Sequence, residues 1–325
     1  MGPAVKIHIP DRHPRFGNAF GYSRWSDELR AALDQLGYHV EDADTANALV
    51  HVTPPHFFTP RANYLNVLFT AFEGEILPAA YRAPCKRADL VVVPSRHNLR
   101  VFNAAGISAF RCPLGVDAAR FPFVERHVPR PDQKFRYLWV GAPNPRKGWP
   151  LLDRAWRLEF ERDSEVELYV KTTSAAGSID RAGNVIADSR CLSDQELAAL
   201  YASAHCFVFP SYGEAFGLTL AEAMATGLPS IFTDYAGVRD FANRDNAYPV
   251  NARMIAVEYF GPNVMASIDP AALAAEMRTV QRNYSHALAK GRRAANSLAR
   301  DFTWHKAALT LHSIVSARAT HLSAA

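Results

Sequence analysis

Two glutamates at a fixed spacing, Glu214 and Glu222, are the side chains of this sequence best placed to do chemistry. Before them, the apolar run Cys206–Phe209 predicts a buried parallel strand. A helix is predicted from about Phe216 to Thr226, where Gly and Pro residues follow. Seven residues separate the glutamates, which is roughly two helical turns. Both carboxylates can therefore face the crevice at the carboxyl end of the strand.

The start of the predicted helix adds an anion site to the same stretch. The backbone N–H groups of Phe216, Gly217 and Leu218 fall where a helix has no internal partner for them, and the helix dipole favours negative charge there. Carboxylates can bind the hydroxyl groups of a sugar, and free backbone amides can bind phosphate. A site that combines both is suited to a sugar nucleotide. The structural alternative is an ordinary strand–helix–strand unit in which Glu222 is a solvated helix residue.

A pair of cations, Arg146 and Lys147, follows another predicted strand, Phe135–Val140, and precedes a glycine and a predicted helix. Lysine is a point charge and arginine a planar fork, and both neutralise phosphate groups. The alternative, a surface basic pair, is physically poor because cations are disfavoured beside the positive end of a helix. The pair therefore predicts a site for a diphosphate.

Strands alternate with helices along most of the chain, and its 325 residues are enough for two domains with separate cores. About six strands are predicted before residue 125, including Ala48–Val52 and a short strand at residues 38–40, which indicates a doubly wound sheet. Residues 121–133 contain three prolines and mixed charge and are predicted to be a linker. The second sheet then begins at Phe135–Val140.

The Glu-x7-Glu stretch closely resembles the donor-site motif of family-4 retaining glycosyltransferases. The resemblance is carried by residues 214–217 and 222–229, and it extends to Arg-Lys-Gly at 146–148 and Pro-Leu-Gly-Val-Asp at 113–117. It implies the α/β GT-B fold, in which two Rossmann-like doubly wound domains face a deep cleft and a C-terminal helix crosses back to the first domain. The implied domains are an acceptor domain, a donor domain and the crossing helix, at 1–125, 134–302 and 303–320.

The resemblance implies roles for the residues of the donor site. Glu214 should hold hydroxyls of the donor sugar, Glu222 the ribose hydroxyls, and Lys147 and Arg146 the diphosphate, together with the amides at 216–218. Many family members carry an arginine directly after the glycine that corresponds to Gly141, whereas this chain has Ala142. Arg146 is the expected substitute. The glycines Gly17 and Gly141 are assigned to the same site, because such glycines let the backbone approach the donor.

Two further candidates lie in loops of the first domain. Glu73 follows a predicted strand at 66–71, and its Phe-Glu followed by Leu-Pro resembles the acceptor-side loop of many family members. His56 lies in a proline-rich loop at 53–60. Each is a candidate to contact the reacting sugars or assist proton transfer, and the alternative for each is a solvated or structural loop residue.

The implied activity is transfer of a sugar from a nucleotide diphosphate donor to an acceptor hydroxyl with retention of configuration, in glycoconjugate or polysaccharide biosynthesis. No permanently bound cofactor and no metal are expected, and a UDP- or GDP-sugar is the expected substrate. A glycosidase-like pair of carboxylates is rejected because Glu222 lies beside the anion site. The alternatives that remain are a sugar-nucleotide epimerase, a phosphorylase-like enzyme and a non-catalytic sugar-nucleotide-binding subunit.

Bulk properties limit the cellular setting. The net charge of +4 suits anionic substrates or a membrane surface but is too weak to indicate nucleic-acid binding. The four cysteines form no C-x-x-C pair and are predicted to be reduced core residues. No leader and no apolar run of membrane-span length is present, so a cytoplasmic protein is expected. Peripheral membrane contact is suggested by four arginines near the first helix, Arg12, Arg15, Arg24 and Arg30. The acceptor is left open between a glycan, a lipid-linked sugar, a small molecule, a protein and a nucleic acid.

Overall fold

The structure is a computed structural model that describes residues 5–10, 21–142, 144–173 and 183–323. The chain divides into two compact units. The first takes the described residues up to Gly115, then Glu258–Asn263, and then the described residues from Phe302 onward. The second takes Val116–Val257 and Val264–Asp301. Among the described residues, no helix combines the length and the apolar character needed to cross a membrane.

A parallel sheet forms the centre of the first unit. In its described part the strand order is β1-β2-β3-β4-β5, with bounds Ile7–His8, Ala48–Val52, Leu65–Phe69, Leu90–Val93 and Ala109–Arg111. Every residue of β3 and β4 is buried, as expected for parallel strands covered on both faces. The strand predicted at 38–40 is reduced to a single bridge between Ile7 and His39, because this segment pairs only with Ile7 of the two-residue strand β1.

Four helices of the described chain pack on this sheet, with bounds Gly21–Gln35 (α1), Ala79–Lys86 (α2), Arg96–Ala104 (α3) and Trp304–Ser323 (α9). The last helix buries Leu311 and Val315 completely. At its start, the Cys112 thiol lies 3.3 Å from the carbonyl oxygen of Ala307. The prediction that the C-terminal helix packs on the first domain is confirmed.

The second unit holds another parallel sheet, and its order in the described residues is β11-β10-β9-β6-β7-β8. The bounds are Phe135–Val140 (β6), Val166–Lys171 (β7), Val185–Asp188 (β8), Cys206–Phe209 (β9), Ser230–Thr233 (β10) and Tyr248–Val250 (β11). From β6 the chain first adds strands on one side, β7 and β8, and then on the other, starting with β9. The β6–β9 pair is therefore a topological switch point, where open α/β sheets bind ligands.

The helices of the second unit run over Trp149–Glu159 (α4), Asp194–Ser203 (α5), Leu218–Ala225 (α6), Pro270–Arg282 (α7) and Tyr284–Asp301 (α8). One face of the sheet packs on Trp156, Phe160 and Met277, which are fully or almost fully buried. Helix α6 begins at Leu218, two residues after the predicted start, because Gly217 has φ +99° and cannot be helical. It nevertheless keeps Glu222 on its second turn.

Two segments differ from the predicted domain bounds. Residues 116–125, predicted in the first domain, belong to the second unit. Arg126 helps to hold them there, because its half-buried guanidinium donates hydrogen bonds to the carbonyls of Tyr201 and Thr226. The sequence analysis did not predict the hairpin formed by β12 (Ala252–Glu258) and β13 (Pro262–Ile268). The turn of this hairpin belongs to the first unit.

The cysteines follow their prediction in part. All four lie in the described part of the chain and are free thiols. Cys85, Cys112 and Cys206 are buried, as predicted. The prediction of a core position is wrong for Cys191, which is exposed. It lies just beyond the end of β8, after the surface residue Arg190, so no core encloses it.

Candidate functional site

The loop after β6 is anchored at the switch point of the second unit. Pro145–Lys147 form a 3-10 turn, and the Asn144 side chain accepts a hydrogen bond from the Arg146 N–H at 2.9 Å. Gly148 ends this turn with φ +75°, and a Cβ added there would lie 1.9 Å from the carbonyl oxygen of Pro210. Because Pro210 directly follows β9, the close approach fixes the two loops against each other.

Arg146 ties its own loop to the one after β9. Its carbonyl accepts a hydrogen bond from the Tyr212 N–H at 2.8 Å and lies 3.0 Å from the Ser211 hydroxyl oxygen. Its guanidinium donates to the Gly213 carbonyl at 2.5 Å and lies 3.1 Å from Glu214 Oε1. These contacts orient the segment that carries Glu214. The predicted diphosphate role of Arg146 stays a prediction.

Glu214 is a buried carboxylate held by cations. Lys147 Nζ lies 2.7 Å from its Oε1, and the Ser211 hydroxyl donates to the same oxygen at 2.8 Å. Burial by itself raises the pKa of Glu214, but the positive charges of Arg146 and Lys147 and these hydrogen bonds outweigh it and lower that pKa from 4.5 to about 2. Glu214 is therefore ionised at neutral pH.

Glycines shape the start of α6. Gly217 is the N-cap residue, and a Cβ on it would lie 2.7 Å from Val238 Cγ1. Gly237 donates its N–H to the carbonyl of Glu214 at 2.9 Å, and a Cβ on Gly237 would lie 2.0 Å from the Ala215 carbonyl oxygen. Because these contacts leave no room for side chains, the backbone between Glu214 and the helix is held in a tight turn. Two of the predicted amide donors, Gly217 and Leu218, thus lie at a helix N-terminus, and a helix leaves its first N–H groups without internal partners.

The other described residues predicted for the donor site lie on α6, in the loop before α6 and in the loop after β6. Glu222 is 8% exposed on α6 and accepts a hydrogen bond from the Tyr201 hydroxyl at 3.3 Å. Phe216 is buried, and its ring packs on Phe241 with centroids 5.1 Å apart. Gly141 follows β6, and a Cβ there would lie 2.6 Å from the indole ring of Trp139. Gly17 lies outside the described residues.

The candidates of the first unit lie among aromatic rings. Glu73 follows β3, and its Oε2 accepts a hydrogen bond from the Tyr259 hydroxyl at 2.8 Å. His56 is exposed in the 3-10 turn Pro55–Phe57, and its ring centroid lies 5.7 Å from that of Tyr81. Burial raises the pKa of Tyr81, and the charge of Glu73 raises it further. Sequence reasoning missed Tyr259, because 186 residues separate it from Glu73.

One group of three side chains in the described chain could hold a cation, and it includes none of the candidates named above. It consists of Asp34, His39 and Glu41 in the first unit, and the two acids are exposed. His39 Nδ1 already lies 2.8 Å from Asp34 Oδ1. Of the arginines suggested for membrane contact, Arg30 donates to the Ile9 carbonyl at 3.0 Å and Arg24 lies 3.5 Å from Glu28. Arg12 and Arg15 lie outside the described residues.

Comparison with known proteins finds a family model that matches most of the second unit and solved structures that share the fold. Residues 134–283 match the family model of group 1 glycosyl transferases. A MMP alpha-(1->4)-mannosyltransferase from Mycolicibacterium hassiacum is 37% identical over 126 residues, which are 37% of this chain and 29% of that protein. A D-inositol 3-phosphate glycosyltransferase from Arthrobacter sp. is 30% identical over 180 residues, which are 52% of this chain and 39% of that protein. The chain therefore aligns with less than half the length of these curated relatives.

Solved structures match nearly the whole chain. A sucrose-phosphate synthase from Thermosynechococcus elongatus has a TM-score of 0.74 at 15% identity, covering 99% of this chain and 100% of that one. Anabaena Alr3699/HepE in complex with UDP-glucose has a TM-score of 0.71 at 14% identity, covering 96% and 100%. At such identities the likeness concerns the fold alone. The chain has the two-domain GT-B fold, as predicted.

Proposed function

Because residues 134–283 match the family model of group 1 glycosyl transferases, we propose that this chain transfers a sugar from a nucleotide diphosphate donor to an acceptor hydroxyl, with retention of configuration. The observation that carries the proposal is the cluster of Lys147, Arg146 and Glu214 at the switch point of the second sheet. It places two cations beside a carboxylate and the N-terminus of α6. A diphosphate and a sugar need these same groups side by side.

The proposed reaction breaks the bond between the anomeric carbon and the donor phosphate oxygen and forms a bond from that carbon to the acceptor oxygen. The acceptor proton passes to the departing diphosphate, so no protein base is required. Negative charge grows on the leaving oxygen as the bond breaks. Lys147 and the amides at the start of α6 stabilise that charge, and preorganised groups of this kind supply large rate effects. We expect the neutralisation to work without a divalent metal.

Each residue of the donor site has a proposed part in this reaction. Lys147 binds the diphosphate, while Arg146 orients the loop of Glu214 and adds positive charge. When the donor phosphate binds Lys147, it replaces Glu214 as the partner of that ammonium group. The Glu214 carboxylate can then accept hydrogen bonds from sugar hydroxyls. Glu222, oriented by the Tyr201 hydroxyl at 3.3 Å, accepts from the ribose hydroxyls.

A UDP- or GDP-sugar is the proposed donor. The Anabaena structure contains UDP-glucose, and relatives named as mannosyl- and inositol 3-phosphate glycosyltransferases support a role in glycoconjugate or polysaccharide biosynthesis. The proposed acceptor is a glycan, a lipid-linked sugar or a small polyol. A cytoplasmic setting, with peripheral contact at the inner face of a membrane, is part of the same proposal.

The test is a thermal-shift and donor-hydrolysis screen over UDP-, GDP-, ADP- and dTDP-sugars, with and without EDTA. We expect one nucleotide to raise the melting temperature in both conditions and its sugar to be released by wild-type protein. Glu222→Ala should weaken donor binding about 10- to 100-fold, because hydrogen bonds to a charged group are lost. The matched control is Glu161→Ala, an exposed glutamate of the same unit paired with Arg157 on the surface, and it should bind the donor like wild type.

Four results would contradict parts of the proposal. If no sugar nucleotide shifts the melting temperature, the transferase function is overturned. Binding without any hydrolysis or transfer would favour the non-catalytic subunit. A donor shift that EDTA abolishes would overturn metal independence. Once an acceptor is found, proton NMR of the product reports its anomeric configuration, and an inverted centre would overturn retention.

A further inference from the structure

We propose that aromatic residues of the first unit form an acceptor platform, defined as Tyr81, Tyr259 and Phe260, in which the exposed ring of Phe260 binds a pyranose ring beside Glu73 and the buried ring of Tyr81 supports it. The proposal rests on the proposed function and extends it to the class of acceptor. All four residues belong to the first unit. Sequence reasoning made Glu73 and His56 candidates to contact the reacting sugars, and the platform adds an aromatic surface that these two side chains do not offer.

The rings of the platform are in mutual contact. Phe260 lies 5.6 Å from Tyr81 and 4.9 Å from Tyr259, measured between ring centroids. Beneath them, the buried ring of Phe72 lies 5.6 Å from Tyr81 and 5.7 Å from Tyr259. Ring pairs at such separations are attractive. The platform is therefore supported from below by the residue that directly precedes Glu73.

The turn that carries Tyr259 and Phe260 is fastened to the loop of Glu73. The Asn263 side chain accepts hydrogen bonds from the N–H groups of Glu75 and Ile76, both at 3.1 Å, and donates to the Ile76 carbonyl at 2.8 Å. Gly74 makes room for it, since a Cβ there would lie 2.4 Å from Asn263 Oδ1. These contacts preorganise the platform, which lowers the ordering cost of binding.

Phe260 is the residue of the platform whose exposure and backbone conformation indicate a binding site. It is 59% exposed, although its ring belongs to an aromatic cluster. Its backbone has φ +54°, a region that bulky residues rarely adopt and that glycine adopts without strain. A glycine does follow, at Gly261 with φ +101°. A strained backbone that presents a large exposed ring is an observed outlier of the kind that marks binding sites.

The chemistry around Phe260 favours a sugar over other occupants. One face of a pyranose is lined with C–H groups, and it can cover an aromatic ring, which has a negative face. The hydroxyl groups at the sugar's edge then find the Glu73 carboxylate, whose position the Tyr259 hydroxyl fixes at 2.8 Å. The same carboxylate repels anionic lipid headgroups. A membrane surface is therefore the less favoured occupant of this patch.

The test measures binding of methyl α-D-glucopyranoside and methyl α-D-mannopyranoside by saturation-transfer difference NMR, with and without UDP. We expect wild type to bind at least one of them, and Phe260→Ser to weaken that binding about tenfold, since it removes one stacked ring. Tyr259→Phe keeps the ring but loses the hydroxyl to Glu73, and it should weaken binding about threefold. Phe110→Ser is the matched control, because Phe110 is 45% exposed on β5 of the same unit, and it should bind like wild type.

Unfolding curves confirm that each variant is folded before binding is compared. Failure of wild type to bind either glycoside overturns the platform, as does equal binding by Phe260→Ser and wild type. A second arm measures sedimentation with vesicles of phosphatidylcholine and phosphatidylglycerol. Loss of vesicle binding in Phe260→Ser with unchanged glycoside binding overturns the sugar assignment in favour of a membrane. Because glycoside binding is measured without a sugar nucleotide, absent donor hydrolysis counts against the proposed function and not against the platform.

Discussion

At the scale of single residues, the central feature is Glu214, where three donor groups lie close to one carboxylate oxygen. Lys147 Nζ, the Ser211 hydroxyl and Arg146 Nη1 lie 2.7, 2.8 and 3.1 Å from Oε1. A buried carboxylate is costly unless it is paired and hydrogen-bonded, and this arrangement meets that need. It also keeps the cations in place, because each of them has an anionic partner near neutral pH.

The pH dependence of stability follows from this arrangement. The pKa of Glu214 falls from 4.5 to about 2 in the folded chain. A depressed pKa stabilises the fold above the unfolded value, and that contribution, roughly 3 kcal/mol at most, is lost as the pH falls from about 4.5 towards 2. We expect melting temperatures of wild type to fall over this range more steeply than those of Glu214→Gln, as calorimetry can measure.

The control for that comparison is Glu161→Gln, whose carboxylate is exposed, and its profile should run parallel to that of wild type. Glu214→Gln is expected to be less stable than wild type near neutral pH, because it leaves Lys147 and Arg146 with a neutral partner. Parallel profiles for Glu214→Gln and wild type would show that the Glu214 carboxylate does not carry the depressed pKa.

At the scale of secondary-structure elements, the 3-10 turn after β6 contacts the loop between β9 and α6. The turn ends at Gly148, where positive φ and the approach of Pro210 coincide. Only a residue without Cβ satisfies both conditions. This fit positions the cation-bearing loop against the loop of Glu214, so the donor site is built by contact between elements that are distant in sequence.

Alanine substitution at Gly148 tests this fit. Gly148→Ala should cost about 3 kcal/mol or more, because left-handed backbone strain and overlap with the Pro210 carbonyl add together. Gly106→Ala is the control, since Gly106 also has φ +75° and its added Cβ would meet nothing within 4 Å. It should cost only the strain, about 1 kcal/mol. Urea unfolding measures both, and equal losses would contradict the close approach at Gly148.

At the scale of the whole molecule, the chain makes two units and returns to the first one at its end. Helix α9 belongs to the first unit although β5 ends at residue 111, far earlier in the chain. A Cβ on Gly115 would lie 2.1 Å from the backbone nitrogen of Trp304. His312 Nε2 lies 3.1 Å from the Val5 carbonyl oxygen. The first unit therefore depends on α9, which contacts both the segment before β1 and the segment that follows β5.

Truncation of the α9 core face should destabilise the first unit. Leu311 is fully buried, so Leu311→Ala should cost about 2–5 kcal/mol. On the same helix Leu309 is 41% exposed, and Leu309→Ala should change stability by about 0.5 kcal/mol or less. Amide hydrogen exchange of β3 and β4 reports the first unit separately. Equal protection of these strands in the two variants would contradict the role of α9.

Several features of the chain follow from sequence alone because their causes are local. The spacing of Glu214 and Glu222 lies within one strand–loop–helix segment, and Arg146 and Lys147 are adjacent, so strand, turn and helix signals suffice to place them. In the last helix, Trp304, Ala308, Leu311 and Val315 recur at helical spacing, and all four are buried. Ser193 is followed three residues later by Glu196, a spacing typical of a capping box, and the two side chains form one. The alternation of strands and helices predicts the two parallel sheets.

Other features were decided only by tertiary structure, because they depend on contacts between residues far apart in the chain. Lys147 and Glu214 are 67 residues apart in the chain, and they come together because β6 and β9 pair side by side in the second sheet. Tyr259 reaches Glu73 across 186 residues through the turn of a hairpin that has no strong local signal. Periodicity and turn residues specify the backbone over one element at a time. Which carboxylate meets which cation or hydroxyl is set by the packing of whole elements, and that packing depends on the complete chain.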